Sequence, residues 1–98
     1  MDFKVTFMSR AVRDLEKITA WVAKEDPEAA ERFGNELIKD ALSLARFPEM
    51  GRIVPEFADP TIREIIHGRY RIVYRLKKAL IRIHILPFWH ASRGTPLF

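Results

Sequence analysis

Hydrophobic and polar residues alternate with two different periods along this chain, and these periods separate strands from helices. Residues 3–8 alternate, with Phe3, Val5 and Phe7 on one side and the polar Lys4 and Thr6 on the other. Successive side chains of a strand point to opposite faces, so this stretch is predicted to form a first strand.

A helical period follows, and it predicts two helices. Apolar residues recur every three or four positions over residues 10–24, directly after Ser9, which has the side chain of an N-cap. Asp26-Pro27 is typical of a helix start and predicts a second helix over residues 27–46. The short connection predicts an antiparallel helix hairpin. Gly34 within the second helix costs roughly 1 kcal/mol relative to alanine, which indicates a close helix–helix contact.

The second half of the chain reads as a loop followed by strands. Residues 48–60 hold three prolines and a glycine, and predict a loop with one extended piece near Ile53. Strands are predicted over 61–66, 70–77 and 80–86, with turns at His67-Gly68 and Lys77-Lys78, which makes an antiparallel meander. The order of elements predicts one α+β domain over residues 1–98, with the hairpin on one sheet face and the other face open.

Arginine is concentrated on one side of the predicted sheet. The even positions from Ile66 to Leu76, including Tyr70 and Tyr74, are expected to form the core face. The opposite face is expected to be basic, and its members are Arg52, Arg63, Arg69, Arg71, Arg75, Arg82 and His84. Guanidinium groups stay ionised and suit phosphate or carboxylate, so this face is predicted to meet an anionic target. A merely solvated sheet face is the alternative.

Composition narrows the chemistry further. Lys plus Arg number 17 against 13 for Asp plus Glu, a net charge of +4 that permits an anionic partner without requiring one. The absence of cysteine excludes disulfides, thiolate metal sites and a cysteine nucleophile. The three histidines lack the short paired spacings of zinc sites, so neither metal nor cofactor is expected. With neither a signal-peptide pattern nor a membrane-length apolar run, a cytoplasmic location is expected.

Several motifs resemble one family of bacterial proteins. These are Arg63-Glu64-Ile65, the run GRYRIVYR that starts at Gly68, the strand at 81–86, His90-Ala91-Ser92-Arg93 and the preceding FPEMGRIVPE. Together they resemble the RelE/ParE superfamily of toxins from type II toxin–antitoxin systems, over nearly the whole chain. The resemblance implies a helix hairpin on an antiparallel sheet, and an antitoxin that wraps the toxin surface.

The resemblance leaves three functions open. RelE-like members cleave mRNA in the ribosomal A site. For that branch the resemblance implies a metal-free site of Arg71, Arg63 and His90, in which arginine stabilises the phosphorane and histidine transfers a proton. ParE-like members inhibit DNA gyrase. The chain lacks a tyrosine after Tyr74 and a lysine in the loop 48–60, both present in several nucleases, which favours the gyrase-inhibiting branch. An inactive relative that only binds antitoxin is the third reading.

Two groups of residues are assigned to partners. Trp21, Phe88 and Trp89 are predicted to contact the antitoxin, since large aromatic side chains often anchor protein interfaces; packing in the core or the hairpin is the alternative. The basic face is predicted to bind the target, and Arg93 in the tail is predicted to take part in that contact. Arg71 is expected to be an exposed cation that contributes little to folding, because surface ion pairs are worth about 0–1 kcal/mol.

Overall fold

The computed structural model describes residues 2–90 and shows two helices and six strands in that part of the chain. The two helices are followed by most of the strands, as the sequence predicts, and the α+β fold is confirmed. A short 3₁₀ turn, Lys78–Leu80, separates the fourth and fifth strands. The elements are β1 Lys4–Phe7, α1 Ser9–Ala23, α2 Pro27–Ser43, β2 Arg52–Ile53, β3 Ile62–His67, β4 Tyr70–Lys77, β5 Arg82–Ile85 and β6 Trp89–His90.

The strands form one mixed sheet in the order β1-β5-β4-β3-β2. The predicted meander of β3, β4 and β5 is antiparallel throughout. Strand β1 lies parallel to β5, with Lys4 beside Arg82 and Phe7 beside Ile85. Strand β6 returns to pair with the start of β4. None of the helices in the described residues has the length and apolar character needed to cross a membrane.

The core lies between the helix hairpin and one face of the sheet, which we call the inner face. Its members from the helices are Ala11, Leu37, Ala41 and Leu44, and its members from the sheet are Ile72, Tyr74, Leu76, Ile83, Ile85 and Phe88. A Cβ atom on Gly34 would lie 3.2 Å from Thr19 Cγ2. The close contact predicted between the two helices at this glycine is therefore confirmed.

The helix ends differ from the sequence prediction in two places. Ser9 is the first residue of α1 rather than its cap, and the preceding Met8 provides no side-chain cap. Asp26 does cap α2, since its Oδ1 accepts a hydrogen bond of 3.1 Å from the Ala29 N–H. Helix α2 ends at Ser43 instead of residue 46, because the next N–H groups donate to carbonyls three residues back and tighten the chain into turns.

The hairpin between β3 and β4 reverses the expected alternation. His67 pairs with Tyr70, so the loop is Gly68-Arg69, and Gly68 adopts a positive φ of 58°. Residues paired across antiparallel strands share a face, so the parity of inward positions changes at a two-residue loop. Arg63 thus faces inward beside Tyr74, whereas the exposed Ile66 pairs with Arg71. The predictions that Ile66 lies in the core and that Arg63 lies on the basic face were wrong.

The segment around β5 contains two further corrections. Strand β5 begins at Arg82 and not at residue 80 as predicted, because Ile81 adopts a left-handed φ of 52° and is 37% exposed. Pairing shifts by one residue between Ile85 and Trp89, so one extra residue is accommodated there. This shift brings Phe88 into the core and places Trp89 opposite Arg71 on the face turned away from the helices, which we call the outer face.

The loop before β3 is anchored by Tyr74. The buried Tyr74 hydroxyl donates to the Pro48 carbonyl at 2.7 Å and accepts from the Gly51 N–H at 3.1 Å. A Cβ atom at Gly51 would lie 2.7 Å from the Tyr74 hydroxyl oxygen and from the Glu64 carbonyl oxygen, so the chain needs glycine there. This anchoring fixes where β2 begins, and with it the loop that follows β2.

Candidate functional site on the outer face of the sheet

A buried carboxylate lies at the centre of one half of the outer face. Glu64 in β3 pairs with Arg52 in β2 and with Val73 in β4, and its side chain has no exposed surface. Its Oε2 accepts a hydrogen bond of 2.7 Å from Nε of Arg52 and forms an ion pair with Nη2 of the same guanidinium, also at 2.7 Å. Its Oε1 accepts a hydrogen bond from Nε of Arg71. The buried charge is thereby matched by two guanidinium groups, as burial of a carboxylate requires.

A second carboxylate reaches the same arginine from the loop after β2. Glu56 accepts two hydrogen bonds from Arg71, from Nη1 at 2.7 Å and from Nη2 at 2.8 Å. The hydrogen bonds from Arg71, with a smaller contribution from a backbone hydrogen bond, lower the pKa of Glu56 to about 2. The bonds to Glu56 and then Glu64 raise the pKa of Arg71 above its usual value. We call Arg52, Glu56, Glu64 and Arg71 the ion-pair network.

The network corrects the prediction that Arg71 is an exposed cation. Arg71 is only 8% exposed, and carboxylates engage its guanidinium on two sides. The sequence pattern does not identify Glu56 and Glu64 as partners of Arg71, because it singles out only the cations of this sheet face. A signal for Glu64 existed: with Gly68-Arg69 as the loop, alternation places Glu64 and Arg71 on the same face. No local pattern places Glu56, which lies in an irregular loop.

The three residues suggested for RNA cleavage are not brought together. Arg71 lies on the outer face. Arg63 faces inward, and its guanidinium donates to the carbonyls of Pro60 and Gly51, each at 3.0 Å, so it supports the loop. His90 pairs with Tyr70, and the two rings meet edge to face with centroids 5.1 Å apart. Arg71 and His90 therefore belong to opposite faces of the sheet.

The other half of the outer face carries a cluster of cations on β4, β5 and β1. The register places Arg75 opposite His84, Lys77 opposite Arg82, and Lys4 beside Arg82. We call these five residues the basic patch. Within residues 2–90, none of its four Lys and Arg side chains forms an ion pair. Arg75, Arg82 and Lys4 are exposed, and Lys77 is half-buried.

Two titrating groups report the local charge of the basic patch. The pKa of His84 is lowered, mainly by partial burial and then by the positive charges of Lys77, Arg82 and Arg75. The pKa of Asp59 is lowered mainly by hydrogen bonds from Thr61, and only to a minor degree by Arg75. His84 is therefore neutral at neutral pH, and the fixed positive charge of the patch comes from its lysines and arginines.

The remaining predicted basic residues have different environments. Arg69 is exposed in the loop between β3 and β4. The Arg52 side chain is 59% exposed although it is bound to Glu64. Arg93 lies outside the described residues. Within residues 2–90, no three His, Cys, Asp or Glu side chains are grouped so as to hold a metal ion.

The aromatic residues predicted to contact an antitoxin are divided between the two faces. Trp21 on α1 is 71% exposed and borders a cleft of about 300 Å³. Phe88 is only 3% exposed and closes the core, and Trp89 lies half-buried beside Arg71 on the outer face. The lining of the cleft consists of Asp14, Lys17, Ile18, Trp21, Tyr70, Phe88 and His90.

Comparison with known proteins shows the family. The model of a family described as "ParE toxin of type II toxin-antitoxin system, parDE" matches residues 5–94. Toxin RelE1 of Caulobacter vibrioides is 38% identical over 95 residues, which cover 92% of this chain and 95% of that protein. Toxin RelE2 of the same organism is 35% identical over 91 residues, covering 92% and 97% of the two chains.

Solved structures share the fold at low sequence identity. The chromosomal ParDE toxin–antitoxin system of P. aeruginosa matches with a TM-score of 0.72 and 20% identity, over 90% of this chain and 95% of that one. A mutant of the E. coli toxin RelE in the free state matches with a TM-score of 0.68 and 15% identity, over 96% of this chain and 88% of that one. The RelBE2 toxin–antitoxin complex of Mycobacterium tuberculosis matches with a TM-score of 0.65 and 24% identity, over 92% of this chain and 99% of that one. The chain therefore belongs to the RelE/ParE superfamily, the toxins of type II toxin–antitoxin systems.

Proposed function

We propose that this toxin arrests bacterial growth by binding and inhibiting DNA gyrase, and that a cognate antitoxin neutralises it. The observation that carries the proposal is the state of Arg71. The resemblance assigns this position to phosphorane stabilisation in the nuclease branch, yet here Glu56 and Glu64 already bind the guanidinium. The arginine expected to bind RNA phosphate is thus engaged within the protein.

The electrostatics of the network argue against RNA cleavage at Arg71. Stabilisation of a phosphorane requires positive charge directed at oxygens that gain negative charge. Two carboxylates adjoin Arg71, and either would repel an incoming phosphate. Displacing Glu56 would not free the arginine, because Glu64 remains on its Nε and has no exposed surface.

The positions of His90 and Arg63, the other two residues suggested for RNA cleavage, support the same conclusion. A general acid or base must come within about 2.6–3.2 Å of the atom whose proton it transfers, or act through one water. His90 lies on the inner face beside Tyr70, and Arg63 is committed to loop carbonyls. The family model named for ParE also favours the gyrase-binding branch. The relatives named RelE favour the second candidate, ribosome-dependent mRNA cleavage.

Controlled expression in bacteria, with DNA supercoiling and mRNA integrity measured in parallel, tests the proposal. We expect growth arrest, loss of negative supercoiling and intact mRNA. The variant His90→Ala is the matched control, since it removes the proposed nuclease histidine and should still arrest growth. Rapid mRNA cleavage with normal supercoiling, abolished in His90→Ala, would instead establish the nuclease function. Normal growth with soluble wild-type protein would identify an inactive relative.

The proposed antitoxin contact is centred on Trp21. This indole is largely exposed beside a cleft that is lined by both apolar and charged side chains, an arrangement that suits an anchoring contact with a partner. Trp89 lies on the other side of the sheet, so an antitoxin that contacts both must pass around the sheet near β6. Trp21→Ala should weaken antitoxin binding by about 2 kcal/mol, measured by titration calorimetry. The same titration of Trp89→Ala tests whether the antitoxin reaches the outer face.

A further inference from the structure

We infer that the basic patch binds the phosphate backbone of duplex DNA, independently of base sequence. The inference deepens the proposed function, because gyrase acts on DNA and a toxin bound to gyrase would lie close to that duplex. The patch is formed by Lys4, Arg75, Lys77 and Arg82 around His84. It is separate from the ion-pair network, which occupies the other half of the same sheet face.

The spacing of the patch produces strong positive potential on a small area. Directly opposed residues on neighbouring strands have Cβ atoms about 5 Å apart, and alternate residues along one strand lie about 7 Å apart. Lys77 opposes Arg82, and Lys4 flanks Arg82 on its other side. Like charges at such distances destabilise the fold. A bound polyanion would relieve that repulsion, and none of the described carboxylates pairs with these cations.

The composition of the patch favours nucleic acid over an acidic protein. Protein interfaces depend on apolar or aromatic anchors at their centre. The described patch has cations and His84 at its centre, and Thr6 beside His84. The nearest apolar side chain in register is Ile62 opposite Arg75, and it is half-buried at the border. Phosphate contacts need only charge and hydrogen-bond donors, which these residues supply.

The same composition favours a duplex over a single strand. Proteins that bind single strands combine positive charge with aromatic side chains on which the bases stack. The patch contains no Phe, Tyr or Trp, and Trp89 lies beside Arg71 at the opposite end of β4. In a duplex the bases are already stacked, so contacts to the backbone suffice for binding. The carboxylates of Glu56 and Glu64 in the other half limit the DNA footprint to the patch side of the sheet.

Binding to a labelled duplex of roughly 20 base pairs, measured by fluorescence anisotropy at several salt concentrations, tests the inference. The test variant is Arg75→Gln/Arg82→Gln. The matched control is Arg13→Gln/Arg32→Gln, which removes the same charge from exposed positions on the two helices. We expect the test variant to reduce the slope of log K against log salt by about 2, about 1 per lost phosphate contact, while the control keeps the wild-type slope. Thermal melts confirm that both variants are folded.

Competition experiments decide the identity of the ligand. Unlabelled duplex DNA should compete well, and single-stranded DNA of the same length and polyglutamate should compete poorly. Equal slopes in the two double variants would show that the basic patch is not the binding site. Polyglutamate that competes as well as the duplex would overturn the inference in favour of an acidic protein. Tighter binding of the single strand would overturn duplex DNA as the ligand. The assay contains no gyrase, so normal DNA binding with unimpaired supercoiling would reject the proposed function and leave this inference intact.

Discussion

The two halves of the outer sheet face each contain two arginines, and the electrostatic environments of these arginines differ. On the side of β3 and β2, Arg52 and Arg71 are neutralised by carboxylates, and Glu64 is completely buried between them. On the side of β5 and β1, Arg75 and Arg82 have no ion-pair partner among the described residues. The role of an arginine on this sheet therefore depends on which carboxylates reach it, and not on its position along the strand.

The difference has an energetic consequence. Removing one partner of a buried ion pair costs several kcal/mol, because the remaining charge stays buried without compensation. Exposed charges contribute only about 0–1 kcal/mol to stability. The network half should therefore be sensitive in folding experiments, and the basic patch should be sensitive in binding experiments.

The largest effect is expected for Arg71→Ala. This substitution should lower the free energy of unfolding by about 3 kcal/mol. The loss is at the low end of the range for a broken buried ion pair, because Arg52 still neutralises Glu64. Arg75→Ala removes the same charge from an exposed position on the same strand, and should change stability by less than about 1 kcal/mol. Urea denaturation of both variants measures the contrast. Equal stabilities would show that the ion pairs of Arg71 contribute nothing to the fold.

A smaller effect is expected for Glu56→Gln, and it should depend on pH. The folded protein holds the pKa of Glu56 at about 2, below its usual 4.5, so the ionised carboxylate stabilises the fold above 4.5. That stabilisation is lost as the pH falls from 4.5 towards 2. At neutral pH, Glu56→Gln should be less stable than wild type by about 1 kcal/mol, and the two should converge in acid. A difference independent of pH would exclude the carboxylate charge as its cause.

The basic patch should respond to salt in the opposite sense to an ion pair. Raising ionic strength shortens the screening length from about 10 Å at 0.1 M to about 3 Å at 1 M, which weakens repulsion among Lys4, Lys77 and Arg82. Arg82→Gln should therefore stabilise the protein by about 0.5 kcal/mol at low salt and by less at high salt. Melting temperatures over a salt series measure this, with Arg13→Gln as control. Destabilisation by Arg82→Gln at low salt would show that Arg82 has an attractive partner.

The smallest effect is a change in the titration of His84. Burial, and then the neighbouring cations, lower the pKa of His84 in the folded protein below its usual 6.5. The neutral imidazole therefore stabilises the fold above pH 6.5, and this stabilisation is lost as the pH falls through the lowered pKa of the folded state. Arg82→Gln removes one of the cations and should raise the pKa of His84 part of the way back, since burial remains. NMR titration of the imidazole signals measures the shift. An unchanged pKa would show that Arg82 does not contribute to the lowering.

The sequence by itself determined the order of the elements, the position of the core and the family. Alternation identified β1 and β4, helical spacing identified α1 and α2, and Gly34 marked the contact between the helices. These features could be predicted because they depend on residues close together in the chain. Apolar periodicity specifies which side of each element is buried, whatever its neighbour in the fold.

Only the tertiary structure decided the environment of each charge on the sheet. The two-residue loop Gly68-Arg69 reversed the parity between β3 and β4, which moved Arg63 inward and placed Glu64 beside Arg71. The anchored loop then brought Glu56 to Arg71 across 15 residues of sequence. The effective charge of an arginine depends on groups within a few ångströms, and contacts between distant residues are set by strand register and loop path. Local periodicity therefore could not distinguish the neutralised half of the outer face from the basic patch.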